Sequence, residues 1–482
     1  MDSAAGTRAL VELEDRAPSV LFERFAGTDV HAWPYLRWPL TQSMAEAELG
    51  QVAISNPVGT GARLQKLITQ LLPNPFSVSR VPRPSRLLFV VAGRTQASVV
   101  GGHRNWLVDD FADDLSPESA VVQYRLLDRT TPAAQRPTFP RTYSFHDAEL
   151  ASDIVARLRP LSASAIAATT DYVNAVYAEL DFEVSDSAVR TATRKVLRHQ
   201  ARVAFMRRRY EALLDRAAPR LIVMDGASYG GARAIQVRAA KERGIPVAEV
   251  QHGWIGGSHG AYNFGAAMRS PELFQYLPDT LLTFGDYWSR VVDTPSKTVS
   301  IGKPHLEALA KRALPATQRP TAVLVASSTL MPEALMASTL EIRDALPEGW
   351  VVRFRPHPSE RHAVETIYAG LVGQHGVEFD MSLDVYESLA TSRAVFGHSS
   401  TVLFEALAFD CAAFVIDSPL ADLYMDPEIF GARLTDADSL AHAVGQVLER
   451  SSRAVPTDHD DLWKPGGVAA FRDFARPYLE SA

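Results

Sequence analysis

The chain is poor in cysteine. Cys411 is the only one among 482 residues, so no disulfide can close within the chain and no multi-cysteine zinc site can be built. A reducing, cytoplasmic setting is expected from that usage. An excess of charge is also missing: 49 Lys and Arg face 56 Asp and Glu, for a formal net charge of −7, and no nucleic-acid partner is expected. Long apolar runs are absent as well. The longest candidate, Phe404 to Ile416, is interrupted by Glu405 and Asp410, so no membrane-spanning helix is expected. The opening MDSAAGTRALVELEDRAP has neither the basic start nor the apolar stretch of a signal peptide. Several catalytic signatures are missing too: GxxxxGK[ST], HExxH and GxSxG do not occur, and the GGARA that follows Tyr229 does not complete a GxGxxG fingerprint. The histidines lack metal-ligand spacing, and neither a metal nor a resident cofactor is expected.

What is present reads as an ordinary globular protein, with 46% hydrophobic and 22% charged residues. Short runs rich in Val, Ile and Leu alternate with longer stretches of helical spacing, the pattern of α/β architecture with buried parallel sheets. The strands expected are Leu87–Ala92, Val121–Leu127, Leu221–Asp225, Pro246–Gln251 and Thr280–Phe284 in the first half. In the second half they are Thr298–Ile301, Thr321–Ala326, Trp350–Arg355, Val377–Asp380, Ala394–Gly397 and Ala412–Asp417. They divide into two sheets of comparable size, so the fold class expected is α/β, with two Rossmann-like domains facing a cleft. A hinge is placed near 285–320, around GKPHLEALAKRALPATQRP. The division expected is 1–295 for a first domain with a helical extension over 1–85, 296–460 for a second, and 461–482 for a helix that crosses back to the first. Prolines 34, 39, 57, 73, 75, 82 and 84 punctuate that extension.

Residues 186–220 carry Val196, Val203, Met206, Tyr210 and Leu213 at helical spacing, which predicts one long amphipathic helix. Its other face holds Arg194, Lys195, Arg198, Arg202, Arg207, Arg208 and Arg209, which raises peripheral contact with an anionic membrane surface.

The sharpest chemical cluster lies in the second half. One strand ends in Arg355-Pro356-His357-Pro358, and another in Gly397-His398-Ser399-Ser400-Thr401 just before an apolar helix. Open α/β sheets bind ligands at the carboxyl ends of their strands, and hydroxyls with free N–H groups at a helix start suit a phosphate. Arg355 and His357 would add charge and donors, and Glu405 would accept from ribose hydroxyls.

In the first half, Asp225-Gly226-Ala227-Ser228-Tyr229-Gly230-Gly231 follows one strand and Glu249-Val250-Gln251-His252-Gly253 the next, with a helix of βαβ length between them. Asp225 or His252 is the candidate general base, His252 because an unperturbed imidazole titrates near neutrality and Asp225 if burial raises its pKa. Downstream, GWIGGSHGAYNFG carries His259, Tyr262 and Asn263 and is long enough for a mobile lid. Ser228, Tyr229, Glu249, His259 and Tyr262 complete the expected acceptor and lid set. His103, Arg104 and Asn105 are weaker acceptor candidates.

These residues resemble a known group. The two halves with RPHP and GHSST look like the GT-B glycosyltransferases, especially bacterial enzymes of capsule and surface-polysaccharide biosynthesis. The His-Pro and Ser-Ser pairs are similar to those of bacterial sialyltransferases and polysialyltransferases, where they hold the phosphate of a CMP-sugar. That resemblance implies the same role for His357, Ser399 and Ser400. Those families carry an acidic-acidic-Gly motif, whereas here Met224 precedes Asp225-Gly226. Teichoic-acid glycerophosphotransferases share a similar arrangement. The function expected is therefore sugar transfer from a nucleotide-activated donor, a CMP-sugar favoured, to a glycan or lipid-linked glycan acceptor. The alternatives are a CDP-glycerol-type transferase, a nucleotide-sugar epimerase and a non-catalytic glycan-assembly protein.

Overall fold

The structure is a computed structural model that describes residues 5–49, 83–92, 96–99, 102–125, 142–329, 331–450 and 459–480. Pro57, Pro73, Pro75 and Pro82 and the end of the strand expected over 121–127 lie outside the described residues. The chain divides into two compact units. One runs from Lys303 to Pro465; the other comprises the residues up to Gly302 together with those from Gly466 onward.

The first unit is built on seven parallel strands. In chain order these are β1 (Leu87–Ala92), β4 (Ser119–Arg125), β5 (Thr142–Ser144), β6 (Leu221–Asp225), β7 (Val247–Val250), β8 (Thr280–Thr283) and β9 (Lys297–Ser300), while β2 (Gln96–Val99) and β3 (Gly102–Asn105) form a separate antiparallel hairpin. The sheet order is β5-β4-β1-β6-β7-β8-β9. Every residue of β1 and β6 is buried, as a parallel strand covered on both faces requires, and this is why they read as unbroken apolar runs. The order runs outward from β1 on one side and from β6 on the other, so the direction in which strands are added reverses between β1 and β6.

Two helices of the N-terminal extension, α1 (Ala5–Arg16) and α2 (Trp33–Leu49), pack onto this unit. The long helix α3 spans Asp186–Ala217. Ser185 caps its start by accepting from Ala188 N, and it stops where Ala218 turns left-handed ahead of Pro219. Val196, Val203, Met206, Tyr210 and Leu213 are all buried along it. Its basic face is mostly exposed, and several of its residues are partnered. Arg202 is buried against Glu149 at 2.8 Å, Arg198 meets Asp153 at 2.6 Å, Arg207 meets Glu242 at 2.6 Å, and Lys195 donates to Gln42. Among the described residues, Arg194, Arg208 and Arg209 have no acidic or amide partner and are exposed. No helix among the described residues is long and apolar enough to cross a membrane.

The second unit has five parallel strands, β10 (Ala322–Ala326), β11 (Val351–Arg355), β12 (Val377–Phe379), β13 (Ala394–Gly397) and β14 (Ala412–Val415), in the order β12-β11-β10-β13-β14. The reversal here falls between β10 and β13. Both units are therefore parallel α/β sheets wound outward from a central switch.

Three expectations change. The strand at 298–301, expected to open the second sheet, is β9 and pairs with β8, because Thr280–Thr283 runs in register with Lys297–Ser300. The division consequently falls at 302/303 rather than 295/296. Near the C-terminus it falls at 465/466 rather than 460/461. There the helix Gly467–Glu480 packs Phe471 on Phe89 and Phe111 of the first unit, and Arg472 pairs with Asp114. Finally, the weaker acceptor candidates His103, Arg104 and Asn105 lie on β3, where Arg104 is already paired with Asp110 and Asp113.

Candidate functional site

Each unit gathers its chemistry at the carboxyl edge of its sheet, and the two edges are described separately. In the first unit, Asp225 ends β6 at the switch. It is fully buried and both carboxylate oxygens are engaged: Ala92 N of β1 donates to Oδ2 at 3.2 Å and Tyr124 OH of β4 donates to Oδ1 at 2.7 Å. Arg233, on α4 (Ala232–Lys241), lies over the Tyr124 ring, 3.4 Å from its centroid. Asp225 thus braces three strand ends, each of its oxygens already accepting one hydrogen bond within the sheet. Met224, on the other face, belongs to the hydrophobic core, which is why no second acid precedes Asp225.

The chain leaves β6 through Gly226, at φ 62°, and reaches Gly230, at φ 68°. A side chain at Gly230 would meet the Pro34 carbonyl, so only glycine fits this close approach. Between the two glycines stand Ser228 and Tyr229. Ser228 donates through its backbone N at 2.8 Å and its hydroxyl at 2.5 Å to Oε2 of Glu249 on β7, and Tyr262 OH donates to Oε1 at 2.8 Å. Glu249 is fully buried among these neutral donors, and burial, with Asp225 adding repulsion, raises its pKa to about 7. His252, two residues past β7, is half-buried with its ring 5.6 Å from the Tyr229 ring.

The loop from 253 to 265 does not have the build of the mobile lid expected of it. Arg37 of α2 donates to the Gly260 carbonyl and, at 2.6 Å, to that of Asn263; Asn263 Nδ2 donates to the Gly256 and His259 carbonyls. Glu14 of α1, itself paired with Arg37, accepts from Gly265 N. Backbone carbonyls held by a buried ion pair and an internal amide make this loop a fastened part of the unit. Within it His259 stacks on Trp38 and Trp254. Its Nδ1 accepts from Ala261 N and its Nε2 lies 3.1 Å from Tyr229 OH. Burial lowers its pKa to about 3, so the ring is neutral and Nε2 carries the proton.

In the second unit the switch lies between the ends of β10 and β13. Gly397 ends β13 so close to β10 that a Cβ would stand 3.0 Å from the Ala326 carbonyl. Ser400 caps the helix α5 (Thr401–Ala408) by accepting from Val402 N at 3.2 Å, while Ser399 is buried just before it. Thr401 opens the helix, half-buried. His398 is buried beside the backbone of Ile416 and Asp417, and burial lowers its pKa. On the other side of β10, Glu360 ties down the RPHP turn: its Oε2 accepts from His357 N at 2.9 Å and from Ser327 Oγ at 2.8 Å, and its Oε1 from Tyr368 OH at 2.9 Å. The RPHP and GHSST turns therefore flank one strand end. Ser328 Oγ, also at that end, is buried with no hydrogen-bond partner among the described residues.

His357 is exposed. Its Nδ1 accepts from Ser359 N at 3.3 Å and lies 2.7 Å from Ser359 Oγ, and desolvation lowers its pKa, so Nε2 is the protonated nitrogen of a neutral ring. Arg355, expected in the phosphate set, is held within its own unit. It is buried, and its Nη1 meets Asp380 at 3.2 Å and Ser388 at 2.8 Å. Glu405 is likewise already partnered: Lys303 Nζ donates to its Oε1 at 2.5 Å and Tyr386 OH at 3.0 Å, leaving only Oε2 for any sugar hydroxyl. Sequence reading missed Glu360, Lys303 and Tyr386. Glu360 could have been found, since an acid three residues after His357 is the spacing that caps a turn.

No family model and no curated protein matches the sequence. Among solved structures, the chain is similar to MnaA of S. aureus in a co-structure with UDP (12% identity, 82% of this chain and 97% of that one, TM-score 0.46). It is also similar to the UDP-GlcNAc 2-epimerase of Neisseria meningitidis bound to UDP-GlcNAc (12%, 82% and 98%, 0.45) and to the calicheamicin glycosyltransferase CalG4 (16%, 82% and 98%, 0.43).

Proposed function

We propose that the protein is a glycosyltransferase that moves a sugar from a nucleotide-activated donor, a CMP-sugar in the favoured case, to a glycan or lipid-linked glycan acceptor. One observation carries this reading: the RPHP and GHSST turns flank the same strand end at the switch of the second sheet. A parallel sheet binds its ligand where the strand order reverses, and a helix N-terminus favours an anion there. His357 Nε2 offers a neutral N–H donor to a phosphate, Ser399 and Thr401 offer hydroxyls, and Glu405 Oε2 accepts from a ribose. A donor with a single phosphate is favoured because the His-Pro and Ser-Ser pairs resemble those that hold the phosphate of a CMP-sugar.

The first unit then takes the acceptor, at the edge formed by Ser228, Tyr229, His252 and the fastened 253–265 loop. The test is a thermal-shift panel of CMP, CDP, UDP and GDP on the native protein and on His357→Ala. Stabilisation by CMP that His357→Ala abolishes supports the reading. Stabilisation by CDP alone moves it to glycerophosphate transfer, and UDP alone with turnover of the free nucleotide sugar moves it to epimerisation. Failure of every nucleotide, or a shift that survives His357→Ala, overturns the site.

A further inference from the structure

At the carboxyl edge of the first sheet, aromatic rings from α2, the β6 exit and the loop after β7 meet in one wall. Trp38 of α2 stacks on His259 with centroids 5.9 Å apart and meets the Tyr229 ring edge-on at 4.4 Å. Trp254 stacks on the same imidazole at 5.7 Å, and the His252 ring stands 5.6 Å from that of Tyr229. Behind them lies Tyr262, fully buried, its ring 4.9 Å from His259. Trp38, Tyr229, His252 and Trp254 are only half-buried. Large rings gathered at a strand edge and left partly in water are suited to covering a ligand.

The N-terminal extension fastens this wall. Arg37, the neighbour of Trp38, holds the 253–265 loop by the Gly260 and Asn263 carbonyls and lies 4.1 Å over the Phe264 ring. From α1, Thr7 Oγ1 donates to the Ser258 carbonyl at 2.7 Å, and Asp15 Oδ1 accepts from Ala266 N at 2.8 Å. Trp254 and His259 are therefore ordered beside Trp38 before a ligand arrives, and little ordering entropy is lost on binding.

The wall also lacks charge. His259 is neutral, since burial lowers its pKa to about 3, Arg37 is paired with Glu14, and no ammonium or guanidinium among the described residues stands over the rings of Trp38, Tyr229 or Trp254. A phosphate or carboxylate set against such a surface would lose water without gaining a counter-charge. A pyranose avoids that cost: its C–H face lies on an indole, and its hydroxyl edge reaches polar groups such as the Tyr229 hydroxyl and the His252 imidazole.

We propose that this wall is the subsite for the reacting end of the acceptor, that the ring it takes is an uncharged pyranose, and that Trp38 and Trp254 set that preference; this rests on the reading that the first unit takes the acceptor. The extension is then part of the site, because it supplies Trp38 and holds the loop that supplies Trp254. An acceptor whose last ring carries a carboxylate or a phosphate is disfavoured.

The test is saturation-transfer NMR titration of the full-length protein without nucleotide. The probes are the methyl β-glycosides of glucose, galactose and N-acetylglucosamine, and the methyl α-glycoside of N-acetylneuraminic acid, which carries a carboxylate. At least one neutral glycoside should bind, with transfer concentrated on its ring C–H protons. Trp38→Ala and Trp254→Ala should each weaken it about 10-fold or more, whereas Trp254→Phe, which keeps a ring and the packing around it, should stay within about threefold. Binding of no neutral glycoside, tighter binding of the sialoside, or binding that survives both alanine substitutions overturns the inference. The nucleotide panel answers separately. If a neutral glycoside binds through both tryptophans and no nucleotide binds, the sugar subsite stands and the transferase reading falls; if CMP binds and the glycosides ignore both tryptophans, this inference alone falls.

Discussion

The two carboxyl edges share a topology and differ in chemistry. At the edge of the first sheet, a carboxyl group with no basic partner among the described residues, Glu249, sits among neutral hydroxyls and an N–H, and its proton affinity is raised. At the edge of the second, the buried charges are paired, Arg355 with Asp380 and Lys303 with Glu405, and the groups turned outward are neutral donors. An unpaired buried acid costs stability and is suited to exchanging protons. Paired ions fix loops and leave the field of a helix start to act on a ligand. The same winding of the chain thus carries a buried acid held by neutral donors at one edge and paired buried ions at the other.

That contrast can be broken or sharpened by substitution. The largest effect is expected for Lys303→Ala, which leaves Glu405 buried without its cation and should cost about 3–5 kcal/mol of second-unit stability in denaturant titration. Lys303→Ala with Glu405→Gln should restore most of it.

Next comes the pH dependence of the first unit. The folded chain holds the Glu249 proton more tightly than the unfolded chain does, so between about pH 4.5 and 7 this group makes stability fall as pH rises. The difference is of order 3 kcal/mol. Asp109, buried and raised to about 7 chiefly by desolvation, adds a slope of the same sign. Calorimetry over that window should therefore show Glu249→Gln flattening the decline without removing all of it.

Gly397→Ala should cost about 1–3 kcal/mol, because its Cβ would press on the Ala326 carbonyl at 3.0 Å. It should also weaken any ligand held at that turn, which a thermal-shift comparison would detect. The smallest effect is expected for Ser400→Ala, about 1 kcal/mol from loss of the α5 cap.

Much of the fold was legible. Unbroken apolar runs such as Leu87–Ala92 and Leu221–Asp225 announce strands buried on both faces, and the apolar spacing of α3 announced its length. β5 escaped because three residues carry no period, and the β2–β3 hairpin because Gln96–Val99 and Gly102–Asn105 are largely polar. β9 was counted in the wrong sheet because strand pairing is a tertiary property that a run of four residues does not encode. At the site, residue types and strand ends were readable, since Ser399, His357, Ser228 and Glu249 all stand where the pattern put them. Which of them are already partnered was not readable. Arg355, Glu405 and Asp225 look available in sequence and are bonded in the fold, through residues 25, 102 and 133 positions away. The fastening of the 253–265 loop likewise depends on Arg37 and Glu14, more than 200 residues upstream.

The division of labour between the edges is tested most directly by equilibrium titration of the stabilising nucleotide into the native protein, His357→Ala and Glu249→Gln. The account predicts that His357→Ala weakens binding by about 10-fold or more, through loss of a hydrogen bond to a charged phosphate, while Glu249→Gln leaves the affinity within about twofold. Equal weakening by both substitutions, or weakening by Glu249→Gln alone, would contradict it.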